Sequence, residues 1–114
     1  MTYKEIDQMI SSTGLPYAYD QFKDGTQQAP PFICFYYGAS NDLYADGINY
    51  QRIDSLTIEF YSDCKDIDKE LQIEAVLMAA GLPFAKYEQS LEDEKMHETV
   101  YELQVLITQE DINE

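Results

Sequence analysis

Positive charge is what this sequence has least of: seven Lys and Arg residues and one His stand against 22 Asp and Glu, for a formal net charge of −15. The basic residues are Lys4, Lys23, Arg52, Lys65, Lys69, Lys86 and Lys95, scattered singly along the chain. Nucleic acids are held by basic clusters that neutralise phosphates. Direct nucleic-acid binding is therefore excluded, and an anionic membrane surface would repel the chain for the same reason. Cysteine is nearly as scarce. Cys34 and Cys64 are too few for a disulfide framework and follow no metal-ligand spacing, so an intracellular, reduced chain is the simpler reading. No run of 18 apolar residues occurs, so no membrane-spanning helix is expected. Residues 1–12 mix charged and apolar side chains, unlike a secretory leader. Tryptophan is absent, and none of the five glycines belongs to a phosphate-cradling motif.

What is present is enough for one core. The chain has 114 residues, 45% of them hydrophobic, which predicts a single domain over 1–114. Ten Tyr and five Phe make it rich in aromatic side chains, and Tyr is suited to lying half in a core and half in water or an interface. Acidity of this degree fits solubility, a basic protein partner, or a surface that DNA passes without adhering.

Periodicity places the elements. Thr2 with Glu5 has capping-box spacing, and Tyr3, Ile6, Met9 and Ile10 form one helical stripe that Gly14 and Pro16 end. A short extended stretch, 15–22, follows. Residues 32–37 (Phe-Ile-Cys-Phe-Tyr-Tyr) read as a strand buried or half-buried on both faces. Residues 38–52 read as a long loop, and 53–61 as a strand alternating with period two. A second helix is expected over 66–80, with Ile67, Leu71, Ala75 and Met78 inward and Ile73, Val76, Leu77 and Ala80 widening the stripe. Strands are expected over 84–89 and 96–108. In the latter, His97, Thr99, Tyr101, Leu103, Val105 and Ile107 share one face, and Glu98, Glu102 and Gln104 the other, which is largely wet or faces a partner. Residues 109–114 read as a flexible tail. The fold class is α+β, order α-β-β-β-α-β-β, with two helices packed on one face of a mostly antiparallel sheet. Thr13-Gly14-Leu15-Pro16-Tyr17-Ala18 is echoed by Ala80-Gly81-Leu82-Pro83-Phe84-Ala85, which reads either as shared helix-stop punctuation or, with the better fit, as an α-β-β unit used twice.

The residues that could carry chemistry form no catalytic or metal-binding pattern along the sequence. The one histidine, His97, lies mid-strand without a sequence-adjacent nucleophile, and Cys34 sits in an aromatic strand where a buried thiol is a small hydrophobe. Asp63, Asp66 and Asp68 at the start of the second helix lack a calcium ligand ladder, as do Glu92, Asp93 and Glu94. Carboxylates at a helix start have the simpler role of offsetting its partial positive charge. No catalytic, metal or cofactor-binding residue is assigned, and no enzyme activity is expected. Leu43, Tyr44, Ile48, Tyr50 and Arg52 in the 38–52 loop are the candidate protein-interface residues, because apolar and aromatic side chains on a loop often mark a contact.

Several short pieces, taken in order, resemble a known family. They are Gly14-Leu15-Pro16 with Ala18-Tyr19, Pro30-Pro31-Phe32-Ile33, and Ala45-Asp46-Gly47 with Tyr50. Ile58-Glu59-Phe60-Tyr61 with Asp63 and Lys65, Glu94-Lys95-Met96, and Tyr101-Glu102 continue the set. Together they resemble the tail-terminator (tail-completion, head–tail junction) proteins of long-tailed phages and prophages of Gram-positive bacteria. The resemblance implies a compact α/β protomer and a homo-oligomeric ring, typically a hexamer, that caps the tail tube and lets the head dock. It implies other phage tail or head–tail proteins as partners, and a place in the bacterial host cytoplasm during assembly and then in the virion tail. It carries no catalytic residue over. The competing reading is an acidic soluble inhibitor or decoy that occupies a basic DNA-binding protein.

Overall fold

A computed structural model describes residues 1–20, 29–40, 43–45 and 48–108, with the side chains of all but 40, 43–45 and 48–51. Helix α1, Tyr3–Ser11, begins at a reciprocal cap. The Glu5 N–H donates to Thr2 Oγ1 at 3.0 Å, and the Thr2 N–H donates to Glu5 Oε1 at 2.8 Å. The chain then turns at Gly14, whose φ of +79° is a conformation that a Cβ would strain. Strands β1 (Tyr17–Tyr19), β2 (Phe32–Ser40), β3 (Leu43–Ala45) and β4 (Ile48–Ser62) follow. Helix α2, Ile67–Ala79, starts at Asp66, whose Oδ1 accepts from the Lys69 N–H at 3.1 Å. Strand β5 (Ala85–Leu91), a 3-10 turn (Glu92–Glu94) and β6 (Met96–Ile107) complete the described chain.

The strands lie in the order β1-β2-β4-β6-β5, with β3 on β4 beyond the end of β2. β1 is parallel to β2 and every other pairing is antiparallel. Register brings Ile33, Phe35, Leu56, Ile58, Phe60, Tyr101, Leu103, Val105 and Ile107 to one face, where they meet Ile6, Met9 and Ile10 of α1 and Ile73 and Leu77 of α2. Each large side chain fully buried there contributes about 1.5–3 kcal/mol. No described helix is long and apolar enough to cross a membrane.

Four expectations need correction. The 38–52 loop is largely strand: β2 runs on to Ser40, β3 occupies 43–45 and β4 begins at Ile48, so a fourth strand precedes α2. The reason was legible, since Ala45 pairs with Ile48 across Asp46-Gly47, and Asp-Gly between β-formers is a hairpin signature rather than only loop punctuation. Second, the stripe assigned inward on α2 faces out: Ile67, Leu71 and Met78 are 59%, 56% and 66% exposed, and Ala75 is exposed with them. Ile73 and Leu77, expected at the margin of the stripe, are buried, and Glu70 is buried with them. Third, Glu98 is buried rather than wet, because β6 is an inner strand and neighbouring side chains shade it. Fourth, the repeated Gly-Leu-Pro-aromatic-Ala segment repeats only locally. Both glycines have positive φ and both segments lead into edge strands, but β1 pairs parallel with β2 whereas β5 pairs antiparallel with β6. The tail 109–114 and the end of the 15–22 stretch lie outside the described residues.

Candidate functional site

The densest polar cluster joins α2 to β5 and β6. Glu70 points inward from α2 and is 1% exposed. Lys65 Nζ and Lys86 Nζ each lie 2.8 Å from its Oε1, and Thr99 Oγ1 lies 3.3 Å from Oε2. Lys65 also reaches Glu88 Oε1 at 2.6 Å, and Lys86 reaches Glu74 Oε2 at 2.8 Å. The Tyr101 hydroxyl donates to Glu74 Oε2 at 2.9 Å. Burial by itself would raise the Glu70 pKa, but hydrogen bonds from Lys65 and Lys86 outweigh it and hold the carboxyl below its ordinary value. The same contacts raise both lysines, and Lys65 lowers Glu88.

Sequence reasoning missed this cluster, because its members lie on three elements and Glu70 reads as one acid among 22. The ligand atoms of Glu70, Glu88 and His97 lie within 4.8 Å of one another, a spacing a metal could use. The Lys65 ammonium bonds two of the three, Glu70 and Glu88. His97 Nε2 lies 2.8 Å from Glu88 Oε1, which makes the imidazole part of the same network. An open cleft of about 380 Å³ beside it is lined by Asp63, Cys64, Lys65, Lys95 and His97 among others. Lys65 and His97 are engaged there by the carboxylates of Glu70 and Glu88, so the network ties α2 to β5 and β6.

The expected interface residues fare differently from one another. Leu43, Tyr44, Ile48 and Tyr50 lie on the β3–β4 hairpin, and their side chains are outside the described set. Arg52 is described: its Nε lies 3.0 Å from Oδ1 of buried Asp54, whose Oδ2 accepts from the Tyr3 hydroxyl at 2.6 Å. Arg52 thus serves a contact that ties β4 to α1.

Two other surfaces present what an interface needs. One is the apolar strip of α2, Ile67, Leu71, Ala75 and Met78, which lies on one side of the helix at i, i+4, i+8 and i+11. The other is the sheet face turned away from both helices. Register sets Phe32, Tyr61, Glu98 and Gln89 in one row, Cys34, Glu59, Val100 and Tyr87 in the next, and Tyr36, Thr57, Glu102 and Ala85 in a third. Phe32 stacks on Tyr61 with centroids 4.9 Å apart. Burial pushes the Tyr61 phenol well up, with Glu98 and Glu59 adding to it, and burial pushes the Cys34 thiol up to about 11.

No protein-family model matches the chain, and no curated protein matches it. Among solved structures it shares its fold with a chain from the virion of a native gene transfer agent particle, at a TM-score of 0.57. The alignment covers 87% of this chain and 83% of that one at 13% identity, a likeness of fold.

Proposed function

We propose that this chain is a structural virion protein, a tail terminator that forms a ring, six subunits in the expected form, on the end of a tail tube and meets the head there. The observation that carries the reading is the fold shared over most of both chains with a component of a gene transfer agent virion. The exposed strip of Ile67, Leu71 and Met78 supports self-assembly, because apolar side chains aligned on one helix face are stabilised by a covering partner. Among the described strands β1 and β5 are the edges of the sheet, on opposite sides, which suits head-to-tail contacts that close by rotation. A net charge of −15 suits a channel that DNA traverses without adhering. No catalytic step belongs to this role, and other virion proteins are its partners.

Light scattering over a concentration series, with electron microscopy of the assembled fraction, tests it. A closed ring that forms with rising concentration, or on addition of tail tubes, is the expected result. A chain that stays monomeric under both conditions refutes the reading.

A further inference from the structure

We infer that the helix-free face of the sheet docks an arginine-bearing segment of another protein. The two faces of the sheet treat their carboxylates differently. On the helix side each shielded acid has a cation from its own chain: Glu70 has Lys65 and Lys86, and Asp54 has Arg52. On the other side the described rows carry Glu59, Glu98 and Glu102 and no Lys, Arg or His. The donors to these acids are neutral. The Tyr61 hydroxyl donates to Glu59 at 3.1 Å, the Tyr87 hydroxyl to Glu102, and the Gln89 amide to Glu98. Neutral donors satisfy lone pairs and leave the charge uncompensated among the described residues, although Glu98 is 5% exposed. Burial, with Glu98 nearby, raises the Glu59 pKa, which is the strain that an incoming cation relieves.

The rings decide which cation. Phe32, Tyr36, Tyr61 and Tyr87 stand among the three carboxylates, and Tyr87 is 50% exposed. A guanidinium is planar, weakly hydrated, stacks on aromatic faces and bonds carboxylates through two N–H groups at once. An ammonium does none of this as well. A second copy of the chain is a poor occupant: it brings a charge of −15, and its single arginine, Arg52, already holds Asp54. The partner is therefore a different, basic protein. This inference rests on the sheet face and not on the proposed ring, so either can fail alone.

The full chain is titrated by calorimetry with an acetylated, amidated Gly-Arg-Gly-Arg-Gly peptide and with its lysine counterpart. The arginine peptide is expected to bind several-fold more tightly. Glu59→Gln with Glu98→Gln should weaken it at least about tenfold, while Glu92→Gln with Glu94→Gln, which removes equal charge from an exposed turn, changes it less than about twofold. Glu102→Gln on the exposed part of the face keeps the test decisive if the buried pair of changes unfolds the sheet, and should weaken binding several-fold. Equal binding of the two peptides, or equal losses for the face and turn variants, overturns the proposal. Light scattering on the same samples reports ring formation separately.

Discussion

Replacing Lys65 and Lys86 together by Met should destabilise this protein far more than removing the glutamate they hold. Each Met keeps much of the aliphatic stem and loses the ammonium. Glu70 is then a carboxylate 1% exposed, stripped of two ion pairs at 2.8 Å and left with Thr99 Oγ1 at 3.3 Å. A buried charge deprived of its partner costs about 3–5 kcal/mol, and at about 4 °C per kcal/mol for a chain of this length the Tm falls by about 12–20 °C. Glu70→Leu by itself costs less, because Lys65 and Lys86 are 39% and 30% exposed and keep Glu88 and Glu74. Adding Glu70→Leu to the double variant removes the orphaned charge and restores most of the loss.

The pH dependence follows from the same contacts. In the native protein the two lysines hold Glu70 below its ordinary value of 4.5, so its contribution is present above that pH and is lost as the pH falls through the folded value. Without the lysines, burial alone acts and raises the pKa, so protonation at lower pH relieves the variant. The stability gap between native and double variant should therefore narrow from pH 7 to pH 5. Urea denaturation followed by circular dichroism at both pH values measures it. A loss under about 1 kcal/mol, a gap that does not change with pH, or a triple variant no more stable than the double would refute the argument.

Three further outcomes are expected. Thr2→Ala opens the cap on α1 and should cost about 1 kcal/mol in urea denaturation; no loss would mean that the helix start is held by packing alone. Leu71→Glu places a charge on the exposed strip of α2, so stability should change by about 0.5 kcal/mol or less while self-association measured by light scattering falls. Iodoacetamide at pH 8 should alkylate exposed Cys64 and spare Cys34, whose thiol is buried and pushed up to about 11, until urea opens the fold. Equal labelling of both in the folded protein would contradict the placement of Cys34.

Much of the fold was readable in order, because local signals dominate there. Thr2 with Glu5, Asp66, Gly14 and Gly81 act within a few residues, and they mark the helix ends found in the structure. The alternation of Leu56, Ile58 and Phe60, and of Thr99, Tyr101, Leu103, Val105 and Ile107, placed the core face correctly. The charge of −15, the α+β class and the order of most elements also came from the sequence alone.

Pairing and partnership required the tertiary structure. Which strand lies parallel is a matter of where the chain returns, and residues 15–20 carry no mark of it. Hydropathy set the buried face of α2 off-centre: Ile73 and Leu77, expected at its margin, are buried while Ile67, Leu71 and Met78 are not, and a period-based reading cannot see that Lys65 and Lys86 hold Glu70 in the interior. The same holds for the two sheet faces. Their carboxylates look alike along the chain, and only the register shows which of them share a face with a cation among the described rows: Arg52 and Asp54 are two residues apart on β4, but Lys86 reaches Glu70 from β5 only once helix and sheet have packed.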